Sequence, residues 1–316
     1  MAVHGGIVAV TGGLYGAGIG GGYEGGGCTV TITGGEISAA GGDFGAGIGG
    51  GANNTSTNAT AGAGGTVSIS GGRVAATGGD CAAGIGGGVG GTVQGGAGAA
   101  LTVADGTVFA TGGADGGPGV GSGVGNVGNG GTPPHVSGTS TFTGGSIRID
   151  GGYAATDPTD GEARVWCVTV TNLVPHAAVT VGSLGSYGVN DLFADDAGRL
   201  YLWLPDNDYT FTAGGSGYTA AVNGADATAT FYLATPAFAA DGSALVFSGT
   251  TLSITIANAK KDVWYTLYAT ATLGGTWELV KSVYATADGN LAFDDISATA
   301  PRRFFKVTAG SSQPQQ

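Results

Sequence analysis

One glycine-rich motif recurs through the first half of the chain and constrains its fold more than any other feature. The segment GGIVAVTGGLYGAGIGGG at residues 5–22 returns as GGEISAAGGDFGAGIGGG at 34–51 and as GGRVAATGGDCAAGIGGG at 71–88. A degenerate copy occupies 105–123, and a last half-copy occupies 144–152. Self-similarity at a spacing of about 30 to 40 residues is typical of solenoids, in which each coil buries its apolar side only by stacking on its neighbours.

Each repeat contains three short segments in which apolar residues alternate, as they do in half-buried strands. If the segments stack coil on coil, they form inward columns on three faces of a triangular parallel β-helix. The expected first-face columns are Val8, Ile37, Val74, Val108, Ile147 and Val10, Ala39, Ala76, Ala110, Ile149. The second face has Ala17, Ala46, Ala83, Pro118 and Ile19, Ile48, Ile85, Val120. The third has Val30, Val67, Leu101, Ser140 and Ile32, Ile69, Val103, Phe142. We predict a right-handed helix.

Paired glycines separate the three segments and are expected to form the corners, where the chain turns sharply. A collagen-like helix is excluded because the glycines do not recur strictly at every third residue. For stretches such as residues 84–91, a bundle of polyproline-type strands is left open as an alternative.

Composition narrows the functional classes. The chain has 316 residues, 69 of them glycine, and only 10% of its residues are charged. Its net charge is −12, and no lysine precedes Lys260. Phosphate backbones and anionic lipids would repel such a chain, so we expect neither nucleic-acid nor membrane-surface binding. No apolar run approaches the roughly 20 residues of a membrane span. We therefore expect no membrane insertion.

The three cysteines, Cys28, Cys81 and Cys167, are far apart and include no CxxC pair. They indicate neither a zinc site nor a disulfide framework. Cys28 and Cys81 fall at repeat positions and are interpreted as small apolar fillers. The N-terminus enters the repeat without a signal peptide, so we expect a truncated chain or a fragment of a longer secreted protein.

The composition changes after the repeats, and the full prediction is an all-β protein: a right-handed parallel β-helix (solenoid) followed by two small β-sandwich domains. The β-helix is expected at 1–160. Alternating strands separated by turn sequences predict one β-sandwich at 161–234 and a second at 235–310. Residues 311–316, SSQPQQ, form a polar tail.

The GAGIGGG and TVTITGG repeats resemble the glycine-rich β-helix regions of bacterial secreted or cell-surface proteins of the carbohydrate-binding or adhesin-like type. The segment YGVNDLFADDAGRLYLWLPDNDYTFTA is similar to prealbumin-like or carboxypeptidase-regulatory-like β-sandwiches, which serve as spacers in such proteins. The ending PRRFFKVTA resembles C-terminal β-sandwich domains of secreted proteins from verrucomicrobial and related bacteria. The resemblance implies an extracellular or cell-surface location, and it implies no catalytic residue.

Carboxylates are candidate catalytic or metal-binding groups here, because parallel β-helices include glycosidases and lyases. Asp43 and Asp80 occupy the same repeat position in adjacent coils, which lie about 4.8 Å apart, and Asp115 follows in the next coil. Such a stack could share a proton, bind calcium or be a row of solvated corner residues. Calcium at Asp43 and Asp80 is the one cofactor left open. If the chain is an enzyme, Asp43, Asp80 and Asp115 are its candidate acid and base.

Glu36 and Arg73 also share a repeat position, and we expect a salt bridge between their coils. His4, His135 and His176 have no partner at an informative spacing, and the glycine-rich segments lack the lysine and βαβ context of a nucleotide loop.

Aromatic rings can hold sugars by stacking on their apolar faces. Tyr15, Tyr23, Phe44 and Phe109 are the predicted ligand-binding residues, although these rings could instead only cover glycine backbone. Insertions fall in one corner, after GAGIGGG, and loops gathered along one edge of a solenoid often bind ligands.

The sequence favours a binding role over catalysis. We expect an extracellular structural or binding protein of a bacterial surface or secreted system that contacts polysaccharide along the loop edge. A β-helical glycosidase or polysaccharide lyase is the alternative. A self-assembling filament or surface-layer subunit, which would associate through an exposed end of the helix, is a further alternative.

Overall fold

The structure is a computed structural model that describes most of the chain. The described residues are 1–53, 60–91, 94–125, 136–184, 192–232, 237–238, 245–248, 250–271, 275–287, 289–297 and 304–310. Within these ranges the protein consists of strands, turns and irregular segments, without a helix. It divides into two compact units, Met1–Thr230 and Phe231–Gln316. The expected all-β class is confirmed. The predicted boundaries at residues 160 and 234 stay predictions.

The first unit begins with a β-solenoid built from short parallel strands. Its strands are β1 (Ala2–Val3), β2 (Ile7–Thr11), β3 (Ile19–Gly20), β4 (Thr29–Ile32), β5 (Glu36–Ala40), β6 (Ile48–Gly49), β7 (Thr66–Thr77), β8 (Ile85–Gly86), β9 (Ala100–Thr111), β10 (Val120–Gly121), β11 (Thr139–Phe142), β12 (Ser146–Asp150) and β13 (Tyr153–Ala154). Strands β3, β6, β8, β10 and β13 form one five-stranded parallel sheet. The others form one eight-stranded sheet, because β7 and β9 each run through the corner between the third and first faces.

The side-chain columns expected on the strands are confirmed by the pairing register. On the first face, Ile37 pairs with Val8 and with Val74, and the column continues to Val108 and Ile147. On the third face, Ile69 pairs with Ile32 and Val103. A register shift of one residue would turn the inward side chains of a strand to solvent, so the alternation in the sequence fixes the register.

The solenoid core is a narrow aliphatic stack. Its members are buried because each inward side chain contacts the equivalent residue in the coil above and the coil below. Ile32, Ile48, Ile69 and Ile85 are among the fully buried residues. The first and last turns differ from the middle: Val8 and Val10 in β2 are only partly buried, and Val165 from the segment after the solenoid joins the core at the other end.

The other half of each coil is held mainly by backbone. We call it the glycine half: residues 12–27, 41–53 with 60–65, 78–91 with 94–98, and 112–125. In the second coil, Gly50 N–H donates to Gly86 O, Gly51 N–H to Gly25 O and Ala52 N–H to Tyr15 O, at 2.8–2.9 Å. Three successive amides thus bond to three different segments. The next coil repeats this pattern with Gly87, Gly88 and Val89, which donate to Gly121, Gly62 and Phe44.

A polyproline II segment has three residues per turn and no internal hydrogen bonds, so its successive amides also point outward in three directions. Within residues 84–91, however, Ile85 and Gly86 form β8 and pair with β6 and β10, so the polyproline-type alternative for this segment stays a prediction. The solenoid therefore combines parallel strands on its three faces with glycine-rich connections whose amides bond to several different segments.

Glycine is required in this half for two separate reasons. Gly49 and Gly86 adopt φ values of 141° and 147°, which L-residues with side chains rarely adopt. A Cβ on Gly49 would also collide with the carbonyl oxygen of Gly86. Gly42 has no positive φ, but a Cβ there would collide with the carbonyl oxygen of Gly13 in the preceding coil. The corner glycines therefore permit close stacking of backbones as well as sharp turns.

The rest of the first unit forms three small sheets. The strands are β14 (Trp166–Val170), β15 (Ala178–Val179), β16 (Val181–Gly182), β17 (Leu192–Phe193), β18 (Leu200–Leu204), β19 (Asn207–Ala213), β20 (Ser216–Val222), β21 (Ala227–Thr228) and β22 (Thr230–Tyr232). Their orders are β18-β14-β21, β15-β17 and β16-β19-β20-β22. Apolar residues alternate along β18, where Leu200, Leu202 and Leu204 are buried.

This segment packs directly on the last coils of the solenoid. The indole of Trp203 lies edge-on to Phe142 at 5.2 Å between ring centroids, and its Nε1–H donates to Ile147 O at 2.8 Å. Phe193 N–H donates to Thr107 Oγ1 at 2.8 Å. The Trp203 ring covers the end of the aliphatic stack, and the two hydrogen bonds fix the orientation of this segment on the solenoid.

An ion network lies at the same contact. Arg148 on β12 bonds Asp150 Oδ2 at 2.9 Å and reaches Asp195 Oδ2 at 3.3 Å, and the Asp195 side chain is only 1% exposed. Burial acts to raise the pKa of Asp195, but hydrogen bonds from the Tyr201 hydroxyl and the amides of Arg199 and Ala197, with the Arg148 charge, outweigh it. The pKa of Asp195 therefore lies below its ordinary value.

The second unit contains β23 (Ala237–Phe238), β24 (Leu245–Ser248), β25 (Thr251–Ala259), β26 (Trp264–Thr270), β27 (Glu278–Tyr284), β28 (Gly289–Ser297) and β29 (Phe304–Gly310). One antiparallel sheet has the order β23-β25-β24 with β28 also on β25, and the other has the order β27-β26-β29. Ile254, Ile256, Tyr265, Leu267 and Phe293 form the centre of its core.

Candidate functional site

The residues predicted to bind a ligand at the loop edge occupy one column of the glycine half. Tyr15, Phe44 and Cys81 follow the second glycine pair in successive copies of the motif. Their carbonyl oxygens accept hydrogen bonds from the amides of Ala52, Val89 and Val124, which follow GIGGG, GIGGG and GVGSG in the next coils, at 2.8–3.2 Å. The first residue of each insertion therefore holds the backbone of one residue of this column in place through a hydrogen bond.

Two rings of this column stack, and a third contacts them. The rings of Tyr15 and Phe44 are 5.8 Å apart between centroids with an interplanar angle of 17°. Tyr23 meets Tyr15 edge-on at 5.5 Å, and Tyr23 is 50% exposed. We call Tyr15, Tyr23 and Phe44 the aromatic edge. The structure brings together three of the four predicted ligand-binding residues.

The stacked rings are supported from behind by a small apolar cluster separate from the solenoid core. It consists of Ala52, Cys81, Ala82, Val89 and Val124, against which Tyr15 and Phe44 pack with part of their surface exposed. Both rings therefore pack on the glycine half, as one of the two interpretations expected, and both keep part of their surface exposed. Ligand binding at these rings stays a prediction.

Phe109 lies elsewhere. It is on β9, opposite Ala75 and Arg148 in the register of the first face, and the guanidinium carbon of Arg73 is 5.5 Å from its ring centroid. This contact also corrects an expectation. Glu36 and Arg73 are paired in register, but they form no ion pair, because the Arg73 head group lies over Phe109 instead.

The three candidate carboxylates are all exposed on the same turn as the aromatic column. Asp43 directly precedes Phe44, Asp80 precedes Cys81, and Asp115 has a φ of 55° in the next coil. The backbones of adjacent coils stack here, since a Cβ on Gly79 would meet the carbonyl carbon of Asp43 at 2.6 Å. Among the described residues, no group of three or more His, Cys, Asp or Glu is arranged to hold a metal ion. Catalysis and calcium binding at these aspartates stay predictions.

The cysteines differ from one another. Cys81 is buried, and burial, then the nearby charges of Asp115 and Asp80, raise the pKa of its thiol. Burial and then Asp226 raise the pKa of Cys167 to about 12. Both thiols stay protonated at neutral pH and are poor nucleophiles. Cys81 is the apolar filler that was expected, whereas the same interpretation of Cys28 is wrong, because Cys28 is exposed.

The support behind the rings was not identified from the sequence. Val89 and Val124 begin insertions of different length, so alignment of the repeats did not match them. The usable signal was that a small or β-branched apolar residue follows the last glycine of GIGGG at Ala52 and Val89, and the last glycine of GVGSG at Val124. Residues 54–59, 92–93 and 126–135 of these insertions, including His135, lie outside the described residues.

No protein-family model, curated protein or solved structure matches this chain. Within the described residues there is also no helix with the length and apolarity to cross a membrane.

Proposed function

We propose that this chain is an extracellular structural and binding protein of a bacterial surface or secreted system, and that it contacts carbohydrate through the aromatic edge. The observation that carries the proposal is the stacked pair Tyr15 and Phe44 with the half-exposed Tyr23 beside it. Aromatic faces stack on the apolar faces of sugar rings, and the rings here are fixed before a ligand arrives.

The polar surroundings of the aromatic edge support the same ligand class. Asp43 and Asp80 are exposed next to the column, and their carboxylates can accept hydrogen bonds from sugar hydroxyls. The scarcity of cations supports a neutral glycan, because the solenoid repeats contain only Arg73 and Arg148. An anionic polysaccharide would find few partners on this surface.

The test is binding of purified protein to a glycan array, with calcium and with chelator, followed by product analysis of each bound glycan. We expect binding without turnover, and we expect Tyr15→Ala and Phe44→Ala each to weaken it by about fivefold, since one aromatic contact contributes roughly 1 kcal/mol beyond its buried area. Tyr284→Ala is the matched control, since Tyr284 is a 40% exposed aromatic residue of the other unit. Equal binding by all variants would contradict the proposed surface.

The same experiment addresses the enzymatic alternative. Cleavage of a bound glycan, lost in the Asp43→Asn or Asp80→Asn variant, would support a glycosidase or lyase. Dependence on calcium, lost in the same variants, would instead support a cation at Asp43 and Asp80. Sedimentation at a series of dilutions tests the filament alternative, which requires association that increases with concentration.

The finer architecture is part of this proposal. We infer a right-handed solenoid, since parallel crossover connections are right-handed in about 98% of cases. We also infer that 161–234 and 235–310 are β-sandwich modules that act as spacers. A crystal structure with two facing sheets in each segment is the expected result.

A further inference from the structure

A second recess lies at the corner between the third and first faces of the solenoid, away from the aromatic edge. It is a groove of about 520 Å³, within the roughly 300–1,000 Å³ range of small-molecule sites. Its floor is formed by corner glycines of three successive coils, the pairs 34–35 and 71–72 and the single Gly106. Since these glycines have no side chains, backbone is open to a ligand along the floor. We call this recess the corner groove.

The walls carry groups of opposite chemistry. Glu36 and Asp105 supply carboxylates, Arg73 supplies a guanidinium and Ser70 supplies a hydroxyl. Phe193 comes from the segment after the solenoid. Its backbone N–H bonds Thr107 Oγ1 at 2.8 Å, and Thr107 is fully buried, so the position of Phe193 against β9 is fixed.

Glu36 and Arg73 both line the groove, and they form no ion pair, because the Arg73 guanidinium lies over Phe109 of the next coil. A guanidinium has five N–H donors and a carboxylate has two acceptor oxygens, and one contact with an aromatic face uses few of them. Residues that carry donors and residues that carry acceptors therefore line the same recess.

This combination selects one class of ligand. Arg73 in the wall disfavours cations, and the two carboxylates disfavour anions. A neutral polyol can use both kinds of group at once, since each hydroxyl donates and accepts. The ring of Phe193 adds an apolar surface for stacking. We propose that the corner groove is a second carbohydrate site, which takes a neutral mono- or short oligosaccharide held by Glu36, Arg73 and Phe193.

The inference does not rest on the proposed function, because the two sites share no residue. The test uses the full chain and saturation-transfer NMR with a neutral hexose, its hexosamine and its hexuronic acid, and with neutral oligosaccharides of the same sugar. We expect neutral ligands to bind and both charged rings to bind at least fivefold more weakly. Amide shifts of Gly72 and Gly106 should move on titration.

Variants separate this groove from the aromatic edge. Glu36→Gln should weaken groove binding by about tenfold, because it removes the charge from a hydrogen-bond acceptor. Phe193→Ala should weaken it by about the same factor, because the stacking surface is lost. Tyr15→Ala should leave groove binding unchanged. Because Phe193→Ala removes a packed ring, Glu36→Gln, at an exposed residue, is the variant that decides.

Three results would overturn the proposal. They are no binding of neutral sugar at the groove amides, tighter binding of the hexosamine than of the neutral ring, and binding that Tyr15→Ala abolishes while Glu36→Gln preserves it. Loss of binding at the aromatic edge alone would contradict only the proposed function.

Discussion

In each coil, the strands of the first and third faces carry columns of aliphatic side chains, whereas the glycine half adds a single column of apolar strand residues, such as Ile48 and Ile85, and is otherwise joined by backbone hydrogen bonds. Ile69 contacts its neighbours through a buried side chain. Gly50, Gly51 and Ala52 are joined to theirs through N–H groups that donate to three different segments. The comparison shows two routes to a stacked coil, one by apolar burial and one by backbone proximity that only glycine permits.

The two routes should respond differently to substitution. A column of strand side chains is destabilised when one of them is shortened, because a cavity is left. The glycine half is destabilised when a glycine is replaced by a residue with a side chain, because the backbones of adjacent segments can then no longer lie close together. Substitutions at the surface of the glycine half, where the aromatic edge lies, should lower stability less than substitutions in the strand columns or between the packed glycine backbones.

The largest effect is expected for Gly49→Ala. The residue has φ of 141°, and a Cβ would meet the carbonyl of Gly86, so we expect a loss of about 4 kcal/mol in the free energy of unfolding. Gly22→Ala is the control, because a Cβ on Gly22 meets nothing within 4 Å and its φ is not positive. Denaturant unfolding measures both. Equal stability of the two variants would mean that Gly49 is not closely packed.

A smaller effect is expected for Ile69→Ala on the third face. Removal of this 1% exposed side chain should cost about 3 kcal/mol, through lost burial and a cavity. Ile7→Ala is the matched control, because Ile7 lies on β2 and is 81% exposed. We expect the control to change the free energy of unfolding by less than about 0.5 kcal/mol. A large effect at Ile7 would contradict the register of the first face.

The smallest effect is expected for Asp195→Asn, at the contact between the solenoid and the segment that follows it. Loss of the charge-assisted bonds to Arg148 and Tyr201 should cost about 2 kcal/mol at pH 7. Because the folded pKa of Asp195 is lowered, its contribution is present above the unfolded pKa of about 3.9 and disappears as pH falls through the folded pKa.

The difference between wild type and Asp195→Asn should therefore shrink when unfolding is measured below pH 4. Asp196→Asn is the control, because the Asp196 side chain is 76% exposed although it lies 3.5 Å from Arg148. A difference that grows on acidification would reverse the sign of the proposed linkage.

The strand half was predictable because alternation with a period of two, repeated in successive copies, determines both the faces and the register. Val8, Ile37 and Val74 could be placed in one column from sequence alone. The glycine half was not predictable in the same way. A glycine has no side chain to mark its orientation, so GIGGG did not reveal which segment each amide would bond.

In the candidate sites, too, contacts between equivalent repeat positions could be predicted and other contacts could not. Tyr15 and Phe44 could be paired from sequence because they share a repeat position. The position of Phe193 could not be foreseen, since it reaches the corner groove from outside the repeat. The Glu36–Arg73 salt bridge failed for a related reason: the register was right, but Phe109 on the next coil offered the guanidinium another partner.

The central claim is that the glycine half is as firmly hydrogen-bonded as the strands. Amide hydrogen exchange of the whole chain, resolved by residue, tests it most directly. The account predicts that Gly87, Gly88 and Val89 exchange as slowly as Val67 and Ile69 in β7, because their amides bond to Gly121, Gly62 and Phe44. Rapid exchange at these three amides, with β7 still protected, would contradict it.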